Sequence, residues 1–207
     1  GPVHAGVIEP GHFRFMCTGE KVHHLEIQLG YQHRGVEKMM KEKDSVFLSE
    51  SIAGDTVIGH SLAYCSAKEA LSGTEVSDSA QAVRAVMLEL ERAAVHIGDL
   101  SALAGDIAYL PGNAVFGAIR TMIINTSLAI CGSRFGRGII RPGGVVFGID
   151  GDMQEQVNNT LDVNEKKIDL MCSVMFEASS VLSRMQTTGV VDKKTAEEIG
   201  MTGMAAR

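Results

Sequence analysis

A stripe of apolar residues with helical period, opening at Ser77-Asp78-Ser79, most narrows what this chain can fold into. Val83, Val86, Met87, Leu90, Ala94, Ile97 and then residues 101–104 recur close to i, i+3, i+4, i+7, which puts them on one face of a long helix. Ser and Asp at its start are good capping residues, because their side-chain oxygens accept from the first free backbone N–H groups. A helix this long with one apolar face has to lay that face on other helices. Leu110-Pro111-Gly112-Asn113 predicts where it stops, and a second long helix follows over roughly Ala114–Ser133, apolar enough to predict burial on most sides. A third is predicted over Asp152–Thr188, with Val157, Leu161, Ile168, Met171-Cys172, Met175, Ala178-Ser179 and Leu182 as its buried stripe.

The remaining segments are shorter. His12–Met16 and Val22–Leu29 flank Thr18-Gly19-Glu20-Lys21, which predicts a β-hairpin turning at Gly19. Two strands alone are marginal in water, so this hairpin is expected to pack on something else. Arg34–Glu42 predicts a short charged helix, and Ser45–Leu71 one or two helices broken near Ala53-Gly54-Asp55. Arg134–Asp150 is rich in Gly and Pro and predicts a loop or short irregular strands. A last helical turn is expected at Thr195–Glu198, with Thr195 and Glu198 in a capping arrangement. The fold class is therefore mainly α: a helical bundle with a small N-terminal β-hairpin. Residues 1–32 form the hairpin segment and 33–207 the bundle, both parts of one incomplete domain.

Composition narrows the partners. The net charge is 19 − 25 = −6 with no basic stripe, so nucleic acid is not an expected ligand. Hydrophobic residues make up 45% with no Trp, and 11 Met suit either an irregular core or an adaptable interface. Cys17, Cys65, Cys131 and Cys172 never form a closely spaced pair, so they read as reduced, buried intracellular thiols and as no metal motif. No leader pattern is visible at Gly1-Pro2-Val3-His4. The most apolar stretch, Ala114–Cys131, contains Arg120 and Asn125, which are costly in lipid, so a membrane link is expected through other subunits. The chain opens without Met and runs out at Met204-Ala205-Ala206-Arg207, so it reads as part of a longer chain whose isolated form is sticky or oligomeric.

Four segments carry groups that do chemistry. Ile8-Glu9-Pro10-Gly11-His12-Phe13-Arg14 places a carboxylate beside a turn and two cationic or titratable groups; it serves as a surface turn or, if Glu9 is buried, as a proton relay. His33-Arg34-Gly35-Val36-Glu37-Lys38 carries i, i+3 and i, i+4 spacings that ordinarily decorate a solvated helix. Glu89, Arg92, His96 and Asp99 share one flank of the long helix, as a buried acid–base network or as a solvated face. Gly136–Val145 lacks the Lys-Ser/Thr ending of a phosphate loop and the strand–turn–helix setting of a dinucleotide fingerprint, so it supplies no nucleotide site.

Taken in order, Gly1-Pro2-Val3-His4, Glu9-Pro10-Gly11-His12-Phe13-Arg14-Phe15, Gly30-Tyr31-Gln32-His33-Arg34-Gly35-Val36-Glu37-Lys38, His60-Ser61-Leu62-Ala63-Tyr64, Leu88-Glu89-Leu90-Glu91-Arg92 with His96, and Arg141-Pro142-Gly143-Gly144-Val145 resemble one family over nearly the whole chain. It is that of the catalytic large subunits of membrane-bound, energy-converting nickel–iron hydrogenases, which includes the 49-kDa subunit of respiratory complex I (NADH:quinone oxidoreductase). The resemblance implies a hydrogenase-large-subunit-like fold in a membrane-associated redox complex, cytoplasmic and peripheral to the inner membrane. Its partners would be a small subunit holding an iron–sulfur cluster, membrane subunits, and the C-terminal half of its own subunit. Electrons would pass to quinone or protons. The family's general terms also include electron transport and NAD binding, although this chain shows no nucleotide fingerprint.

Two departures qualify that implication. Hydrogenases of this family place a Cys-x-x-Cys just before the segment matching His60, and here that pair falls on Ala53 and Thr56. A methyl and a hydroxyl cannot replace thiolates at a soft nickel–iron centre, and the family's second Cys pair lies beyond Arg207, so no metal or other cofactor is expected to be held by this chain. The tyrosine with which complex I relatives contact quinone falls on Gly54, and Arg134 and Arg137 stand where those relatives carry histidines. Glu9 matches the glutamate that begins the hydrogenase proton path, and His33, Arg34, Glu37, His60, Arg92 and His96 are the expected polar lining of a quinone- or proton-handling cavity. A scaffold that keeps the fold without the chemistry is the alternative.

Overall fold

The computed structural model describes residues 10–203. Two compact units are distinguished, 1–171 and 172–207, and each is described by itself. The first opens with an antiparallel hairpin, β1 (His12–Thr18) and β2 (Lys21–Gln28), paired from His12↔Gln28 to Thr18↔Lys21. Gly19 turns it at φ 60°, a left-handed conformation cheap only without a Cβ. Phe15, Met16, Val22, Leu25 and Ile27 all remain exposed, and among the apolar side chains of the two strands Phe13 is half-buried.

Helices α1 (Val36–Glu42) and α2 (Val46–Ser49) lead into α3 (Val57–Ser72), with the expected break at residues 53–55. The predicted long helix is α4 (Asp78–Asp106). Its N-cap is Ser77, whose hydroxyl accepts from the Ala80 N–H at 3.4 Å. Met87, Leu90 and Ile97 are buried along its stripe, as the period predicts. The second long helix, α5 (Leu110–Cys131), starts earlier than expected, because Pro111 lies in its first turn rather than ending α4. Proline suits that position: its missing N–H would have no intrahelical partner there.

A three-residue link makes α4 and α5 an antiparallel pair, and they form the most extensive helix contact. The link is cross-bonded: the Ser101 hydroxyl donates to the Asn113 carbonyl, and the Asn113 amide donates to the Ser101 carbonyl, both at 2.9 Å. Farther along, a Cβ at Gly98 would stand 2.9 Å from Arg120 Nε, so a glycine is needed where the arginine stem crosses. Phe116, Ile119 and Ile123 are buried, but Leu110, Met122 and Leu128 are exposed. The expectation that α5 is buried on most sides is therefore corrected: packing on α4 uses one broad face. Among the described helices α5 alone is long and apolar enough to cross a membrane.

Residues 134–150 form a tight loop with two short paired strands, β3 (Ile140–Arg141) and β4 (Gly144–Val145). Gly136 sits at φ 69°, and a Cβ there would stand 2.4 Å from Ile58 Cδ1, so the loop is fitted against α3. Helix α6 (Gly151–Glu177) follows. Its buried positions are Val157, Asn164, Met171 and Met175, whereas Leu161 is exposed. Asn164 thus takes a place that the apolar pattern alone did not assign. Its amide donates to the Thr160 carbonyl at 2.7 Å, and its Oδ1 has no hydrogen-bond partner among the described residues.

In the second unit the single helix expected over Asp152–Thr188 is interrupted. Ala178 is extended (φ −69°, ψ 119°), and α7 (Ser179–Met185) starts anew. No Pro or Gly marks that break. Helix α8 (Lys193–Glu198) is capped by Asp192, whose carboxylate accepts from the Thr195 N–H at 2.7 Å; the expected cap at Thr195 gives way to the stronger acceptor three residues upstream. Of the cysteines expected to be buried, Cys65 and Cys131 are, Cys17 is exposed on the hairpin, and Cys172 is half-buried.

Candidate functional site

Buried charge gathers around α3 and the loop of residues 136–145. Arg84, on the inward face of α4 and only 1% exposed, meets Glu69 of α3 in a two-pronged pair at 3.0 and 2.6 Å. The same guanidinium donates to the carbonyls of Arg141 (2.8 Å) and Gly144 (3.0 Å), and Glu69 accepts from the Gly143 N–H at 2.8 Å. The Arg-Pro-Gly-Gly turn is thereby clamped onto α3 and α4. The hydrogen bonds from Arg84 hold the Glu69 carboxyl below the usual carboxylate range against the opposing effect of burial.

A second buried carboxylate, Glu50, secures the other end of the loop. It accepts from the Gly138 N–H at 2.9 Å and from Arg141 Nη1 at 3.2 Å. The Arg141 guanidinium also stacks over Phe47, 4.6 Å from the ring centroid. A further carboxylate, the half-buried Glu91, reaches from α4 to the start of α3, accepting from the N–H groups of Ile58 (2.6 Å) and Gly59 (2.9 Å). It caps α3 from another helix, where Thr56, the residue in the N-cap position, makes no side-chain cap bond. Burial pushes the Glu91 carboxyl up, the two N–H groups pull it down, and the nearby Asp55 charge adds to the rise.

The expected lining residues are placed unevenly. Arg34 donates from Nη2 to the Ile52 carbonyl at 3.0 Å, which ties the segment before α1 to the Ala53–Thr56 stretch. His33 is exposed and its Nδ1 accepts from the Gly35 N–H at 3.2 Å. His60 is half-buried in the first turn of α3, close in sequence to the half-buried Ala53 and Thr56. Glu37, Arg92 and His96 are exposed, and Arg92 pairs with Glu89 on the surface of α4. Of the two readings for the flank of Glu89, Arg92, His96 and Asp99, the solvated one is observed. Glu9 lies outside the described residues.

Glu50, Glu69 and Arg84 were not singled out by sequence. Two of them left a signal. Arg84 falls within the apolar stripe, between Val83 and Met87, and Glu69 continues the inward spacing Val57, Ser61, Cys65 along α3. A charged residue on a buried face needs a partner, so the two could have been matched. Nothing local marks Glu50.

The model of the family described as respiratory-chain NADH dehydrogenase, 49-kDa subunit, matches residues 106–207. The membrane-bound hydrogenase subunit alpha of Pyrococcus furiosus is 28% identical over 100% of this chain and 49% of its own length. Hydrogenase-4 component G of Escherichia coli is 30% identical over 96% of this chain and 37% of its own length. A chain in the solved membrane-bound sulfane sulfur reductase, an archaeal respiratory membrane complex, superposes with a TM-score of 0.90 at 26% identity, over 97% of this chain and 55% of that one. Over nearly its whole length this chain is similar to the complex I 49-kDa and hydrogenase large-subunit family. It spans about half or less of the length of the curated relatives named here.

Against hydrogenase large subunits, the expected difference lies in the donor set. The resemblance would set the hydrogenase thiolate positions on Ala53, a methyl, and Thr56, a hydroxyl, both half-buried just before α3. Neither is a ligand for a soft nickel–iron centre, so these residues do not fit that group and no step is routed through one.

Proposed function

We propose that the chain is part of the large subunit of a membrane-associated redox complex, peripheral to the membrane. In this reading it forms one wall of a cavity where electrons from an iron–sulfur cluster in a partner subunit reach an acceptor. The observation that carries the proposal is the fold match over nearly the whole chain, together with a buried framework of Arg84, Glu69, Glu50 and Arg141 that fixes the Arg-Pro-Gly-Gly turn against α3. Such a framework gives the site rigid walls, which electron and proton transfer need more than mobile groups.

The electron transfer itself belongs to the partner's cluster. This chain would shape the acceptor pocket and move protons: Glu9 as the entry of a proton path, with His33, Arg34 and His60 near the Ala53–Thr56 stretch. Glu37, Arg92 and His96, exposed in this structure, would contribute only against partner surfaces. Quinone and protons are the acceptors this reading names; sulfane sulfur, the substrate in the name of the solved relative, is covered by the same assay.

A second reading has an observation of its own. Ala53 and Thr56, standing where the resemblance expects thiolates, favour a scaffold that holds the complex together without acting on substrate. Quinone-analogue binding and acceptor reduction by the purified complex, with Glu9→Gln and His33→Ala variants, separate the two. Redox function requires analogue binding or acceptor reduction and a clear loss in at least one variant. Unchanged turnover in both variants, or no binding and no reduction at all, selects the scaffold.

A further inference from the structure

Two adjoining cavities between α4, α5 and the start of α3 share Asp55, Val95 and Arg120 in their walls. The outer one is an open polar recess of about 410 Å³ lined also by Asp99, Ser101 and Asn113. The inner one is small, about 20 Å³, and is lined by Glu91 together with Ile58, Met87 and Leu90. A cavity needs about 10–15 Å³ of water-probe volume to hold a single water, so the inner space has room for one. Arg120, half-buried at the junction, makes no hydrogen bond or ion pair among the described residues. Gly98 leaves the room its stem occupies.

We propose that Glu91 is a proton-loading group, fed from solvent through the Arg120 recess by one water in the inner cavity. The step balances simply. That water gives a proton to a Glu91 carboxylate oxygen and takes one from a hydronium ion of the solvent in the recess, which is left as water; one O–H bond forms at Glu91 and one breaks at the hydronium. The geometry sets the two states apart. Ionised Glu91 holds the first N–H groups of α3 at 2.6 and 2.9 Å, and the protonated acid holds them less strongly. The charged groups facing it are Asp55 before α3, Arg120 of α5 and Arg134 after α5. Burial, which weighs most, and Asp55 favour the acid, while the N–H groups of Gly59 and Ile58 favour the anion. Loading would therefore alter the hold on the segment that carries Thr56. Its use in turnover rests on the redox reading above, whereas the loading itself does not.

The test is a carbon-13 carboxyl titration of the 207-residue chain with labelled glutamate, together with water-to-carboxyl magnetisation transfer. The Glu91 signal is assigned by its loss in Glu91→Gln. The expected result is a midpoint above the ordinary glutamate range and a water contact at Glu91. Val95→Phe, which fills the shared neck, removes that contact. Asp55→Asn moves the midpoint down, and this assigns the signal independently should Glu91→Gln fail to fold. An ordinary midpoint, no water contact in the parent chain, or a contact that survives Val95→Phe overturns the proposal. A complex that reduces no acceptor would sink the redox reading yet leave this titration as it is, so the two failures are distinguishable.

Discussion

Replacing Glu69 by Ala strands the guanidinium of Arg84, a group 1% exposed, without its counter-charge. Breaking a buried pair from one side costs about 3–5 kcal/mol, because the remaining charge stays desolvated. Two carbonyl acceptors, of Arg141 and Gly144, still hold Arg84, so the lower half of that range is expected. The Gly143 N–H also loses its acceptor. For a chain of this size each kcal/mol lowers Tm by about 2–4 °C, so 3–4 kcal/mol corresponds to a loss of roughly 6–16 °C. Glu69→Leu combined with Arg84→Met removes both charges and should recover part of the loss, with a coupling energy of about 0.5–3 kcal/mol. Calorimetry or denaturant titration of the parent, Glu69→Leu, Arg84→Met and the double variant closes the cycle, and Glu69→Ala is measured beside it. A Glu69→Ala cost below about 1 kcal/mol, the range of a solvent-exposed pair, or strict additivity in the cycle, would refute the claim that this pair clamps the loop.

Other expectations follow from the same geometry. Glu69 has a depressed folded pKa, so its stabilisation is present above its unfolded value and is lost as pH falls through the folded one. Glu91 has a raised folded pKa and acts in the opposite sense: between its unfolded and folded values stability falls as pH rises, and Glu91→Gln should flatten that slope in a pH series of melts. Glu50→Ala should loosen residues 138–141 more than the rest of the chain, seen as faster amide exchange at Gly138, whose N–H it accepts; unchanged exchange there would count against its anchoring role. Ser77→Ala removes the acceptor at the start of α4 and should cost about 0.5–2 kcal/mol in a denaturant titration.

What could be read from sequence, and what could not, divides along the range of the interactions. Helix α4 was legible because its period and its cap at Ser77 are local. The break before α3 was legible for the same reason. The start of α5 was misplaced because Pro111 serves equally well after one helix or inside the first turn of the next. The extended Ala178 carries no composition cue, and Asn164 is buried against the ordinary preference of its amide for water. The pairing of the inward charges is a matter of longer range, although Arg84 and Glu69 each stand out on an apolar face. Glu69 and Arg84 are 15 residues apart, and Glu91 bonds N–H groups 32 and 33 residues away. Only the packing of α3 on α4 brings them together. Conversely, Arg92 and His96 belong to a motif that sequence makes prominent, yet they face solvent.

The central claim is that this chain walls the acceptor site of a redox complex. Its most direct measurement is electron paramagnetic resonance of the complex purified by way of this chain, followed during turnover with quinone, protons or sulfane sulfur as acceptor. The account predicts a cluster signal that copurifies with the chain, is reduced by donor and reoxidised by at least one of these acceptors, and whose reoxidation slows in the Glu9→Gln or His33→Ala variant. A copurifying complex without a reducible cluster, or one whose reoxidation is indifferent to both substitutions, would contradict it.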